Sequence, residues 1–95
     1  MKIIIIDGAE IHNREELHDI LKRELSLPDW YGRNLDALHD FLTDPRPAIS
    51  LRILHENALR DALGAYADAF FQVLRDSESD FFHWEQNPEN FENLE

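Results

Sequence analysis

Blocks of hydrophobic residues along the chain predict alternating strands and helices. Four consecutive isoleucines, Ile3 to Ile6, form a β-branched run without alternation, which is typical of a strand covered on both faces. The segment Ala48 to Leu54 alternates apolar and polar residues, and the aromatic segment Asp80 to Gln86 predicts a last strand. Strands joined by helical crossovers are expected to be parallel. The pattern therefore predicts an α/β fold of order β-α-α-β-α-α-β, a small three-stranded parallel sheet covered by about four helices.

The first helix has a recognisable start. Asn13 and Glu16 form a capping-box pattern before a helix predicted from about Arg14 to Leu25. His12 and His18 are six residues apart, so they do not share a helical face as metal ligands would. We therefore predict that both histidines are solvated.

The second half of the chain contains two more helices and no internal repeat. Glu56 or Asn57 opens a short helix for which Gly64 is the natural C-cap. A fourth helix follows, with these residues on its buried side: Tyr66, Phe70, Val73 and Leu74. Residues 1–86 are predicted to form one domain, and residues 87–95 a loose acidic tail.

The stretch Trp30 to Thr43 predicts a helix with two distinct faces. Its apolar stripe consists of Leu35, Leu38 and Leu42, with Phe41 beside them. Its polar, acidic stripe consists of Asp36, His39, Asp40 and Thr43. Asn34 is the predicted N-cap, so Asp36 lies in the first turn, where the helix dipole favours a carboxylate. Asp40 lies in mid-helix, where Asp has a poor propensity, and it therefore needs a local partner such as Arg33 or an external one.

Charge narrows the range of partners. The 95 residues include 20 Asp and Glu but only 9 Lys and Arg, for a net charge of -11. This balance argues against binding to nucleic-acid phosphates or anionic membranes, and it favours either a basic protein partner or solubility alone. There is no cysteine, and the apolar run after Lys2 is too short for a signal peptide, so we expect a cytoplasmic protein.

No enzyme motif is evident. The three glycines are scattered singly, and no serine lies in a nucleophile motif. His39 with Asp36 and Asp40 has the spacing of an acid/base or metal cluster, but the sequence supplies neither a pocket nor a further ligand of identifiable position. We therefore expect a protein without catalytic residues, metal or cofactor.

Residues 27–43, LPDWYGRNLDALHDFLT, closely resemble the signature of the barstar family, small intracellular inhibitors of secreted ribonucleases of the barnase type. The family pattern is leucine, proline, acidic, aromatic, Tyr-Gly, any residue, Asn-Leu-Asp-Ala-Leu, aromatic, Asp, any residue, Leu, Thr. The resemblance extends over about residues 1–86. It implies a three-stranded parallel sheet with four helices, in agreement with the order predicted above.

The resemblance also implies a mechanism, in which the second helix and the preceding loop plug the ribonuclease active site. Asp40 matches the carboxylate that takes the place of an RNA phosphate. The matching partner-binding neighbours are Trp30, Gly32, Asn34, Leu35, Asp36, His39 and Thr43. Asp76 matches an acidic position on the last helix that makes a peripheral contact. The implied partner is a basic secreted ribonuclease, and we expect a monomer when the protein is free.

Three residues depart from the family pattern. His39 stands where the family usually has a tryptophan, Trp30 replaces a tyrosine, and Arg33 adds a positive charge. These departures suggest a different ribonuclease, or weaker binding to the familiar one. An acidic antitoxin-like or immunity module that neutralises another basic protein remains the alternative.

Overall fold

The computed structural model describes residues 2–44 and 48–87, with the backbone alone at Gln86 and Asn87. The strands are β1 (Lys2–Asp7), β2 (Ile49–Leu54) and β3 (Phe82–Asn87). The helices are α1 (Arg14–Glu24), α2 (Leu35–Leu42), α3 (Glu56–Leu63) and α4 (Ala65–Asp76), and a short 3-10 turn (Gly8–Glu10) follows β1. The predicted α/β fold and element order are therefore confirmed. The predicted acidic tail lies outside the described residues from position 88 onward.

The sheet is parallel, with β2 between β1 and β3. Its register places Ile4 beside Leu51, and Leu51 beside Trp84. One face is buried, as the pattern of β2 shows: Ile49, Leu51 and Ile53 are buried and the residues between them are not. Burial of this apolar face against the helices is the main stabilising contribution to the fold.

The opposite face of the sheet is open, so the prediction that β1 is covered on both faces was wrong. Ile3 is 70% exposed and Ile5 is 51% exposed, whereas Ile4 and Ile6 are buried. A run of identical β-branched residues suits either face of a strand, so four isoleucines in a row could not distinguish one covered face from two.

The helices begin and end close to the predicted residues. The Asn13 side chain accepts a hydrogen bond from the Glu16 N–H at 2.8 Å. The Glu16 carboxylate accepts from the His12 N–H at 2.8 Å, one residue before the position that a standard capping box uses. Gly64 ends α3, as predicted, and α2 packs against α4. None of the helices in the described ranges is long and apolar enough to span a bilayer.

Candidate protein-binding surface

A tight turn fixes the start of α2. Asn34 caps the helix: its Oδ1 accepts from the Ala37 N–H at 2.8 Å, and its Nδ2 donates to the Gly32 carbonyl at 3.1 Å. A Cβ at Gly32 would lie 3.0 Å from Asn34 Nδ2, so a larger residue there would press on the side chain that caps α2. Arg33 has a φ of 57°, a left-handed conformation that costs on the order of 1 kcal/mol in a residue with a side chain. The capping hydrogen bonds hold this turn in one conformation.

Arg33 contacts α1. It does not pair with Asp40, although the sequence left that local pairing open. Its guanidinium forms an ion pair with Asp19, and its Nη2 lies 3.5 Å from the Glu15 carbonyl. The Asp19 carboxylate therefore offsets the positive charge that Arg33 adds beside α2.

Asp36 and Asp40 are both exposed on α2. Asp36 lies in the first turn, where it complements the helix dipole. Within residues 2–44 and 48–87, the Asp40 carboxylate forms no hydrogen bond or ion pair. No group of three or more His, Asp or Glu side chains in these ranges is placed to hold a metal ion. Asp40 is thus an exposed carboxylate on α2 that no contact with the described residues explains.

Trp30 lies in the loop before the turn and is 85% exposed, so it is not part of the core. A groove of about 330 Å³ separates it from α2. The groove is lined by Leu27, Pro28, Trp30, Tyr31, Gly32, Ala37, Asp40, Phe41 and Asp44. We call the exposed atoms of Trp30, Asp36 and Asp40, together with this groove, the α2 surface. It places an unpaired carboxylate beside a largely apolar groove and an exposed indole.

The other predicted site residues differ in how they relate to the α2 surface. Leu35 is half-buried and packs against the core, and His39 is half-buried on α2. Thr43 caps the end of α2: its hydroxyl lies within hydrogen-bond distance of the His39 carbonyl at 2.9 Å and the Asp40 carbonyl at 3.2 Å. Asp76 is exposed at the end of α4, where its carboxylate accepts from Gln72 at 2.9 Å.

A buried polar layer lies beneath the loop, and the prediction that His18 is solvated was wrong. His18 is 2% exposed; its Nδ1 lies 2.7 Å from the Tyr31 hydroxyl and its Nε2 lies 2.7 Å from the Tyr66 hydroxyl. A neutral imidazole carries one N–H, so it donates to one tyrosine and accepts from the other. The signal was present in the sequence, since His18 precedes Leu21 by three residues and Leu25 by seven on the apolar stripe of α1.

Burial and charge both keep His18 neutral. Its removal from water lowers its pKa, and the nearby charges of Arg33 and Arg14 lower it further. Burial also raises the pKa of the Tyr31 hydroxyl above its usual range. The three rings therefore form a neutral hydrogen-bonded connection between α1, the loop and α4.

These features describe a small acidic α/β protein that carries a candidate protein-binding surface on one short helix. Comparison with known proteins supports this class. The family model described as Barstar (barnase inhibitor) matches residues 1–94. The chain is 42% identical over 84 residues to "Putative ribonuclease inhibitor YrdF" of Bacillus subtilis (strain 168), which covers 84% of this chain and 89% of that protein. The chain belongs to the barstar family.

Proposed function

We propose that this protein is an inhibitor of a basic, secreted ribonuclease of the barnase type, and that it acts without catalysis of its own. The observation that carries the proposal is Asp40, an exposed carboxylate that has no partner among residues 2–44 and 48–87, on a helix whose start is fixed by the Asn34 cap. Family membership and the name of the Bacillus subtilis relative support the choice of a ribonuclease as the partner. In this proposal the protein meets its ribonuclease in the cytoplasm of the cell that makes both.

Asp40 takes the place of an RNA phosphate in the proposed complex. A ribonuclease active site gathers cationic side chains to stabilise the charge that develops on phosphorus. A fixed carboxylate forms charge-assisted hydrogen bonds with such groups, and arginine can bind it through two parallel N–H bonds. Because the α2 surface is already ordered in the free protein, little conformational entropy is lost on binding.

The neighbours of Asp40 complete the proposed contact. Trp30 offers a rigid aromatic side chain of the kind that dominates protein interfaces, and Gly32 exposes backbone next to it. Asp36 adds a second negative charge, and Asp76 supplies a peripheral negative charge. Asn34 and Thr43 present polar groups at the two ends of α2. The net charge of -11 steers the protein towards a basic enzyme, so the association rate should fall as salt is added.

The departures from the family pattern act on specificity in this proposal. His39 offers less stacking area than the usual tryptophan. Arg33 changes the interface less than its charge suggests, because Asp19 pairs with it. The partner is therefore a ribonuclease whose surface opposite His39 tolerates a smaller ring.

An activity titration tests the proposal. Purified barnase is mixed with increasing amounts of the protein, and the rate of RNA cleavage is recorded at several RNA concentrations. We expect inhibition to reach its maximum at one inhibitor molecule per enzyme molecule and to be competitive with RNA. A complex that leaves RNA cleavage unchanged would contradict active-site blockage.

The alternative of an acidic module for another basic protein is tested by the same preparation. The protein is used to capture partners from its host, and each captured protein is assayed for ribonuclease activity with and without the inhibitor. A captured basic protein without ribonuclease activity, in the absence of any inhibited ribonuclease, would favour that alternative.

A further inference from the structure

A cleft of about 490 Å³ opens beside the N-terminal end of α2, on the side that faces α1 and α4. Its lining includes Arg14, Glu15, His18, Arg33, Asp36 and Tyr66. Asp36 belongs to both the cleft and the α2 surface, so the two are continuous. The cleft carries two arginines, whereas the α2 surface carries only acidic charge.

Arg14 is the unusual residue of this cleft. Its guanidinium carbon lies 5.1 Å from the centroid of the Tyr66 ring, a cation–π arrangement. Within the described ranges Arg14 forms no ion pair, whereas Arg33 on the other wall is paired with Asp19. Adjacent residues on a helix do not face each other, which explains why Glu15 does not neutralise Arg14.

Helix stability does not account for a cation at this position. Arg14 is the first residue of α1, where the helix dipole favours acidic side chains and disfavours basic ones. The charge of Arg14 also acts on His18, which lines the cleft. Burial lowers the pKa of His18, and the charges of Arg33 and Arg14 lower it further. Arg14 thus keeps a positive charge in a strongly acidic protein without an ion pair to any residue that the structure describes.

The stacked arrangement suits recognition of a carboxylate. A guanidinium that lies over an aromatic ring keeps the N–H groups on its edge available for two parallel hydrogen bonds. The Tyr66 hydroxyl is held by His18 at 2.7 Å, which limits movement of the ring that supports Arg14. The cation is therefore pre-positioned before any partner arrives.

We infer that this cleft is a second recognition subsite of the inhibitor, in which Arg14 binds an acidic side chain of the ribonuclease. The inference rests on the proposed function and deepens it. The enzyme would place its cationic active site against Asp40 and a carboxylate from a neighbouring loop against Arg14. Opposite charges at two adjacent positions fix the orientation of the partner and exclude ribonucleases that lack the carboxylate.

Binding kinetics of charge variants against barnase test the inference. Arg14→Gln removes the positive charge, and Arg14→Glu replaces it with a negative one. Arg52→Gln is a control that makes the same charge change as Arg14→Gln, but on the open face of the sheet. General steering by net charge predicts that all three leave the association rate unchanged or raise it, because each makes the inhibitor more acidic. A specific contact predicts weaker binding at position 14 alone, mainly through faster dissociation.

We expect Arg14→Gln to weaken binding about tenfold, mainly through faster dissociation, as for one hydrogen-bonded charged contact. Arg14→Glu should weaken it further, and Arg52→Gln should not weaken it. Thermal melts of the variants should stay within a few degrees of the parent, since Arg14 is exposed, and Arg14→Glu should melt at or above it because an acidic residue suits the first turn of α1. Replacing each Asp and Glu of barnase in turn by Ala should then reveal one residue whose effect disappears in the Arg14→Gln background.

Two outcomes would overturn the inference, and they are distinguishable. If Asp40→Ala loses binding while Arg14→Gln and Arg14→Glu bind as tightly as the parent, the subsite is wrong and the proposed function stands. If the parent binds neither barnase nor any ribonuclease captured from its host, or Asp40→Ala binds as tightly as the parent, the proposed function fails and this subsite fails with it.

Discussion

Trp30 and Tyr31 are adjacent aromatic residues with opposite environments. Trp30 is 85% exposed beside the groove, whereas Tyr31 is 6% exposed and shares a hydrogen bond with His18. The outer side of the loop thus carries the exposed indole of Trp30, and the inner side carries polar groups that are paired with one another. The comparison teaches that the inner layer fixes the loop, which leaves the outer side available for a partner.

The largest effect expected from this comparison is a separation of stability from binding. Tyr31→Ala should reduce the free energy of unfolding by about 3 kcal/mol or more, because it leaves a cavity and an unpaired His18 nitrogen. Trp30→Ala should change that free energy by less than about 0.5 kcal/mol, as surface substitutions usually do. Urea denaturation of the two variants measures both values.

Trp30→Ala should affect binding to the ribonuclease although it leaves the unfolding free energy nearly unchanged. Trp30→Ala should weaken binding about tenfold, since a large aromatic contact is lost. A large loss of stability in Trp30→Ala, with binding unchanged, would mean that the outer and inner sides have been assigned the wrong way round.

A smaller effect is expected at the far end of the buried layer. Tyr66→Phe removes the hydroxyl that lies 2.7 Å from His18 Nε2, and it should cost about 1 kcal/mol of unfolding free energy. His18 lines the cleft, so a water molecule can replace part of the lost bond. Tyr66→Phe keeps the ring beneath Arg14, and an unchanged affinity for the ribonuclease would show that the hydroxyl acts on stability alone.

The smallest effect is a dependence of stability on pH. The pKa of His18 is lowered by burial and by the charges of Arg33 and Arg14, so the unfolded chain binds a proton more readily than the folded protein. The stability contributed by neutral His18 is complete above its unfolded pKa of about 6.5 and is lost as pH falls from there towards the folded pKa.

Unfolding of the parent and of His18→Gln at several values between pH 5.5 and pH 7.5 isolates this contribution. The difference in unfolding free energy between the two proteins should shrink as pH falls. A difference that is constant, or that grows at lower pH, would contradict the assignment of a neutral His18.

Much of the fold follows from local sequence signals. The Asn13 and Asn34 caps, the alternation in β2 and the C-cap at Gly64 each depend on a few neighbouring residues, and the structure has all four. The resemblance of residues 27–43 to one family identifies, from sequence alone, the helix that carries the candidate site.

The features that were missed depend on contacts between distant parts of the chain. His18 meets Tyr66 across 48 residues, and no local pattern identifies a histidine whose two nitrogens are both satisfied by tyrosines. The open face of β1 depends on which side the helices cover, and the cleft around Arg14 exists only because α1, α2 and α4 meet there. Periodicity places His18 on the buried side of α1, but long-range packing decides its tyrosine partners, the open face of β1 and the cleft.

The most direct test of the account is the affinity of Asp40→Ala for the ribonuclease, measured beside Asp61→Ala. Asp61 is a matched control, since it is also an exposed acidic residue within a short helix and its loss changes the net charge equally. We expect Asp40→Ala to lose about 3 kcal/mol or more of binding free energy, because cations of the enzyme remain buried without a partner. Asp61→Ala should bind like the parent, and both variants should melt within a few degrees of it. Equal affinities of the two variants would contradict the claim that Asp40 occupies the phosphate position.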